Sequence, residues 1–163
     1  MGDSINLGRR RLFGRKADNA IRPPFVREDT EFTDICTRCD KCIKVCETGI
    51  LFRGDGGFPE VNFTQGECTF CQACVDVCPE PLFDKLKSPP WTLKAQISDA
   101  CLTQQGIWCQ SCRDICEPGA IKFTPAVGKP PSPHVDLDAC TGCGACVAPC
   151  PSHAISLPPG NTA

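Results

Sequence analysis

Sixteen cysteines fall into four groups along the chain. Three groups share the spacing Cys-x2-Cys-x2-Cys-x3-Cys, whereas group three widens its first interval from two residues to seven. The groups are Cys36, Cys39, Cys42 and Cys46 (one), Cys68, Cys71, Cys74 and Cys78 (two), Cys101, Cys109, Cys112 and Cys116 (three), and Cys140, Cys143, Cys146 and Cys150 (four). Thiolates at the regular spacing bind cubane [4Fe–4S] clusters, and in groups two and four a proline follows the last cysteine, as in that motif. The pattern predicts a protein that carries electrons, clusters or both.

Zinc sites and disulfides are the alternative uses of so many cysteines. Three evenly spaced cysteines plus a fourth do not form a tidy tetrahedral zinc set. Residues 9–13 resemble the charged start of an export signal, but residues 14–19 are polar and no apolar segment follows. No run is long enough to cross a membrane, so we expect no membrane insertion. We therefore expect the cytoplasm, where thiols stay reduced and metal binding is favoured.

Group three leaves three possibilities open because of its wide first interval. It could hold a cluster within an enlarged loop, hold a labile cluster, or be a remnant with three working cysteines. The three regular groups predict three [4Fe–4S] clusters, and we favour a fourth at group three.

The last two cysteines of each group are four residues apart, which places them on one face if the segment is helical. In two-cluster ferredoxins the fourth cysteine of each run ligates the other cluster. We therefore expect four ligand sets in which the last cysteine is exchanged. They are Cys36, Cys39, Cys42 and Cys78; Cys68, Cys71, Cys74 and Cys46; Cys101, Cys109, Cys112 and Cys150; and Cys140, Cys143, Cys146 and Cys116. Gly49 and Gly119 stand where such helices would end in a left-handed cap.

The segments between the cysteine groups predict how the chain is divided. Residues 50–63 and 121–137 read as β-hairpins, whereas Ser88-Pro89-Pro90 reads as a linker. The predicted fold class is therefore α+β, with two tandem ferredoxin-like 2[4Fe–4S] modules of short helices and hairpins. We place the modules at residues 28–87 and 91–160, each with a strand before, between and after its two cysteine groups.

Charge separates the start of the chain from the rest. Residues 1–27 hold seven Arg or Lys and two Asp, a net charge of +5. Because the whole chain carries −2, the remainder carries −7. We expect residues 1–27 to form a basic, disordered arm that is electrostatically distinct from the modules.

Side chains outside the cysteine groups predict no catalytic site. No carboxylate pair, Cys–His nucleophile arrangement or phosphate-binding loop is visible, so we do not expect an enzyme. His134 and His153 lie near cysteine groups but are expected at the surface. Trp91 and Trp108 are expected to pack over a cluster or a strand.

The sequence resembles the NapF family of ferredoxin-type proteins, which accompany the periplasmic nitrate reductase. The resemblance rests on Arg9-Arg10-Arg11, Ala20-Ile21-Arg22-Pro23-Pro24, Cys36-Thr37-Arg38-Cys39-Asp40, Arg53-Gly54-Asp55-Gly56-Gly57, Gly66-Glu67-Cys68-Thr69-Phe70-Cys71, Asp99-Ala100-Cys101 with its wide interval to Cys109, and Cys140-Thr141-Gly142-Cys143-Gly144-Ala145-Cys146. The resemblance implies a cytoplasmic iron–sulfur protein. It would bind the catalytic subunit, NapA, before export and assist installation of that subunit's [4Fe–4S] cluster.

Two other functional classes stay open from the cysteine pattern alone. One is a soluble electron carrier between a reductase and an enzyme, and the other is a subunit of a membrane-bound oxidoreductase. The basic arm favours docking to a protein partner, and we expect no nucleic-acid partner.

Overall fold

The computed structural model describes residues 20–159. Within them, short helices and strands are connected by turns and irregular segments. Helices α1 to α4 span Phe32–Ile35, Lys41–Val45, Ala73–Asp76 and Ser111–Asp114. Strands β1 to β6 span Leu51–Arg53, Pro59–Val61, Gln96–Ile97, Ile121–Thr124, Ser132–Val135 and Ile155–Ser156. The predicted α+β fold of short helices and hairpins is confirmed. No helix within residues 20–159 has the length and apolar character needed to span a membrane.

A hairpin separates the two cysteine groups in each half of the chain, the first half holding groups one and two and the second half groups three and four. Strands β1 and β2 pair antiparallel with Leu51 opposite Val61, and β4 and β5 pair with Ile121 opposite Val135. Leu51, Val61 and Ile121 are buried, so each hairpin turns one face towards the interior. The two predicted hairpins are therefore confirmed, although their paired segments are shorter than expected.

Each half also pairs its first extended segment with its last. Strands β3 and β6 are antiparallel, with Ile97 opposite Ile155, and so connect the segment before group three to the segment after group four. In the first half an isolated bridge between Val26 and Phe83 makes the same connection around groups one and two. The two halves are built on the same plan, as the repeated cysteine spacing predicts.

Residues 20–27 lie against the first half, although the charge pattern places them in the basic arm. The Ile21 carbonyl accepts a hydrogen bond from the Val61 N–H (2.8 Å). Phe25 is only 4 % exposed, and burial of an aromatic ring of this size stabilises the fold. The prediction of a disordered arm is thus wrong for these residues, and its remaining residues, 1–19, lie outside the described part of the chain.

The two halves share a core. Phe63 and Cys74 of the first half belong to the same cluster of buried side chains as Trp91, Leu93 and Leu157 of the second. The Trp91 ring packs edge-on against the Phe63 ring, with 5.8 Å between the ring centres. The predicted linker therefore joins two halves that are packed together.

Candidate metal centres

The structure gathers the sixteen cysteines into four sets, each with three cysteines of one group and the last cysteine of its partner group. Three sets each line a cavity: Cys36, Cys39, Cys42 and Cys78 (site I), Cys68, Cys71, Cys74 and Cys46 (site II), and Cys140, Cys143, Cys146 and Cys116 (site IV). In the fourth set, site III, Cys112 lies close enough to interact electrostatically with Cys101, Cys109 and Cys150. These sets coincide with the exchanged sets expected from the sequence. The wide interval of group three does not keep Cys101 away from its site.

Left-handed backbone shapes the loops of groups one, two and four. In each group the residues before and after the second cysteine have positive φ: Arg38 (57°) and Asp40 (59°), Phe70 (53°) and Gln72 (63°), and Gly142 (76°) and Gly144 (82°). Non-glycine residues adopt this region uncommonly, at a cost that the surrounding structure must offset. Turning the chain left-handed on both sides of the second cysteine bends the loop so that three thiols face the same cavity.

The loop of group three is built differently. Gln110, which follows the second cysteine of this group, has φ of −140° instead of a positive value. The inserted residues form a turn of their own, in which the Ile107 N–H donates to the Leu102 carbonyl oxygen (2.8 Å). Thr103 is buried, and its hydroxyl lies 3.2 Å from the Cys101 sulfur. The insertion is thus folded against the site that it widens.

Short helices carry the third cysteine in three of the four groups, and the fourth cysteine follows each helix within two residues. Helix α2 contains Cys42 and has Cys46 as its C-cap, and α3 and α4 lie in the corresponding parts of groups two and three. In group four the segment forms turns, with the Cys150 N–H donating to the Val147 carbonyl oxygen (3.2 Å). A helix is wrong for this group because Pro149 has no N–H to donate and disfavours helical backbone in the residue before it.

Gly49 and Gly119 have the left-handed backbone that the sequence predicts, but they lie beyond the helices. Gly49 has φ of +66° and Gly119 has φ of +63°. Their N–H groups donate to the carbonyl oxygens of Cys46 (3.1 Å) and Cys116 (2.9 Å). Because α2 ends at Val45 and α4 ends at Asp114, the prediction that these glycines cap the helices is wrong. Each glycine closes a separate turn that leads the chain from its site into the following hairpin.

Burial dominates the electrostatics of the third cysteine in every group. Burial first, and nearby cysteines next, raise the pKa of Cys74 to about 12. The same two causes raise the pKa of Cys42 and Cys112 to about 11 and that of Cys146 to about 12. A thiolate is therefore costly at these positions without a compensating positive charge, which bound iron would supply.

Hydrogen-bond donors favour the charged form of other thiols. The backbone N–H of Lys41 is the main cause that lowers the pKa of the exposed Cys39. Burial acts to raise the pKa of Cys46, but the Thr48 hydroxyl and nearby backbone N–H groups outweigh it and lower that pKa. Such donors to sulfur are one of the features that set the reduction potential of an iron–sulfur site.

The donor chemistry of all four sites fits iron–sulfur clusters. Every site offers four free thiols and apolar neighbours, such as Ile50 and Leu51 at site II and Phe32 and Leu82 at site I. Across residues 20–159, no three Cys, His, Asp or Glu side chains are arranged to hold a single metal ion. Four thiols around one site could hold the four corners of a cluster, with apolar side chains limiting access of water.

The remaining sequence candidates lie elsewhere. His134 and His153 are exposed, and His134 is 3.5 Å from the Thr124 hydroxyl on the neighbouring strand. Trp91 is buried between the halves, as a packing residue should be, but Trp108 is 69 % exposed, so the packing prediction is wrong for Trp108.

The residue types of the cysteine loops did not predict which of their residues have left-handed backbone. Arg38, Asp40, Phe70 and Gln72 carry no sequence signal of their own for positive φ. The signal is in group four, where glycine occupies both equivalent positions and marks the backbone that all three regular groups adopt.

Comparison with known families and proteins agrees with these sites. The 4Fe–4S dicluster domain family matches residues 35–81 and 107–154, so each half contains one matched region. The two domains support multiple [4Fe–4S] clusters, in line with the cysteine pattern.

Curated relatives match most of the chain. "Ferredoxin-type protein NapF" of Escherichia coli K12 is 49 % identical over 142 residues, 87 % of each chain. The protein of the same name from Haemophilus influenzae is 50 % identical over 137 residues, which cover 84 % of this chain and 78 % of that one. "Ferredoxin-type protein NapG" of H. influenzae is more distant, at 27 % identity over 152 residues, 80 % of this chain and 54 % of the relative.

Proposed function

Since the chain belongs to the NapF family of ferredoxin-type proteins, we propose that it assists maturation of the catalytic subunit of periplasmic nitrate reductase, NapA. It acts in the cytoplasm before that subunit is exported and helps to install the subunit's [4Fe–4S] cluster. The observation that carries this proposal is the identity of 49 % to a NapF protein over 87 % of each chain. An alignment of 142 residues is longer than either ferredoxin-like module, so it spans both halves.

Sites I to IV hold one [4Fe–4S] cluster each in this proposal, ligated by the four thiol sets. Modules 28–87 and 91–160 carry two sites each. A bound cluster would supply one-electron transfer; the thiolates would hold its iron, and neighbouring N–H and hydroxyl groups would adjust the charge on sulfur. Protein isolated without oxygen should contain about four iron atoms and four sulfides per site. Zinc in place of iron would overturn this assignment.

Accessible sites support a role that involves a protein partner. Cys39 of site I and Cys71 of site II are exposed. At site III, Trp108 and Ile107, next to Cys109, are 69 % and 52 % exposed. Apolar side chains at the surface beside a metal centre suit a transient protein contact.

The direct test is co-purification with the catalytic subunit in two forms. Tagged protein should retain the form that lacks its [4Fe–4S] cluster more strongly than the complete form, because assistance is needed only before assembly. Equal retention of both forms would instead favour a soluble electron carrier, and retention of neither would exclude a maturation role through direct contact.

The basic residues at the start of the chain offer a sharper test of docking. Replacing Arg9, Arg10 and Arg11 by Ala should weaken binding to the cluster-free subunit because three positive charges are lost. Added salt should weaken binding of the parent protein because salt screens attraction between charged groups. Iron content and electron transfer to small dyes should stay unchanged. The control removes three exposed positive charges elsewhere: Lys85, Lys122 and Lys129. If the arginine variant binds and matures the subunit like the parent protein, the docking role of these residues is wrong.

A further inference from the structure

The cysteine loops of groups two and four touch across the boundary between the two halves. The Cys68 N–H donates to the Cys143 carbonyl oxygen at 2.8 Å. Cys68 lines site II and Cys143 lines site IV, so residues of two different sites are joined by a single hydrogen bond.

Close packing holds this contact in place. Gly144 has φ of +82°, and a Cβ atom there would overlap the Phe63 ring, which belongs to the other half. The Trp91 indole N–H donates to the Thr141 carbonyl oxygen (3.1 Å) in the same loop. Because protein interiors are densely packed and transmit strain, the separation of sites II and IV is set by these contacts rather than by the linker.

Sites within one half are neighbours for a different reason. Helix α2 carries Cys42 of site I and has Cys46 of site II as its C-cap, so about one turn of helix connects the two sites. In the second half, the segment from Cys112 of site III to Cys116 of site IV makes the equivalent connection. Sites I and II are therefore adjacent, as are sites III and IV.

We propose that the loops of groups two and four form an electron bridge between the halves, so that the four sites act as one chain in the order I, II, IV, III. One electron leaves a reduced site II and enters an oxidised site IV, or the reverse; no bond forms or breaks and no proton moves. Electron tunnelling falls steeply with distance, so contact between the inner sites decides whether the halves exchange electrons. The electron comes from an external low-potential reductant.

This inference goes beyond the proposed role in maturation and rests only on cluster binding by the thiol sets. It predicts that the chain of four sites has two ends, site I in the first half and site III in the second. An electron that enters at one end is available at the other.

Electron paramagnetic resonance of the fully reduced, iron-loaded full-length protein tests the bridge. The parent protein should show spin–spin interaction between the halves in addition to that within each half, resolved by pulsed dipolar measurements. Gly144→Ala should lose or weaken the interaction between halves, because the added methyl group pushes the group-four loop away from Phe63. Gly128→Ala is the matched control, since Gly128 also has positive φ (72°) but open space around it.

Iron and sulfide content separates the possible failures. If the parent protein binds no [4Fe–4S] clusters, the proposed ligation fails; if it is loaded but shows interaction only within each half, the bridge alone is wrong. Should Gly144→Ala lose iron at site IV, Phe63→Leu decides the question, because it removes the packed ring without altering a cysteine loop. Full loading of Phe63→Leu with a weakened interaction between the halves would support the packing of Phe63 against Gly144 as the contact that sets the separation of sites II and IV. Full loading with an unchanged interaction would overturn that role of Phe63.

Discussion

Cysteines with the same spacing occupy unequal environments. Cys74 and Cys146, the third cysteines of groups two and four, are buried, whereas Cys39 and Cys71, the second cysteines of groups one and two, are exposed. Burial disfavours a thiolate, so the buried positions depend most on the positive charge of bound iron. The exposed positions bring the edge of a site to the surface, where a partner can reach it.

Groups one and two exchange their last cysteines, so replacing either one should damage the cluster of the other group. Cys46→Ala should damage the cluster at site II, because Cys46 lines the cavity of Cys68, Cys71 and Cys74. Its matched partner, Cys78→Ala, should damage site I instead. Loss of iron and site-specific paramagnetic spectra measure both effects. If Cys46→Ala removed only the cluster held by its own group, the ligand exchange would be wrong.

Helices α1 to α4 are too short to be stable on their own. The longest, α2, has five residues, well below the roughly 12–15 residues at which isolated helices become even marginally stable. None of the four has a side-chain hydrogen bond at its N-cap. Their stability must come from packing and, for α2, α3 and α4, from the thiols at and just beyond each helix that belong to two sites.

Metal removal should therefore melt the secondary structure. Chelating the iron under reducing conditions should abolish most of the far-ultraviolet circular dichroism, because binding energy of the metal contributes directly to folding in small metal domains. Addition of iron and sulfide should restore the spectrum, which serves as the control for irreversible damage. Full retention of the spectrum without iron would show that the apolar core alone is sufficient.

The two halves share one hydrophobic core and therefore form one packed unit. The buried cluster that includes Phe63 and Trp91 contains side chains from both halves. Phe70 adds a second edge-on contact to Trp91, with 5.7 Å between the ring centres. Replacing Trp91 by a smaller residue should therefore destabilise both halves.

The two tryptophans provide a matched pair for this prediction. Trp91→Ala should lower the free energy of unfolding by about 3–5 kcal/mol, the usual cost of removing a large buried aromatic side chain. Trp108→Ala should change it by less than about 0.5 kcal/mol, because Trp108 is 69 % exposed. Denaturant unfolding of the iron-loaded protein measures both. Two separate transitions in the parent protein, with only one affected by Trp91→Ala, would contradict a shared core.

Local chemistry made much of this protein predictable from its sequence. Cysteine spacing determined which thiols can share a loop, because a ligand loop is a few residues long and its geometry is local. The same holds for the left-handed backbone at Gly49 and Gly119 and for the two hairpins. Pro149 also indicates that group four lacks a helix, but the cysteine spacing of this group is the same as in groups one and two.

Long-range packing decided the rest. Burial of Phe25 places residues 20–27 with the first half despite the charge pattern, since burial of an aromatic ring depends on a partner surface that charge counting does not reveal. The hydrogen bond from Cys68 to Cys143 and the fit of Phe63 over Gly144 join residues far apart in the chain. The sequence alone determined that four thiol sets exist; only the tertiary structure decided that sites II and IV meet, because that contact depends on how two separately encoded halves pack together.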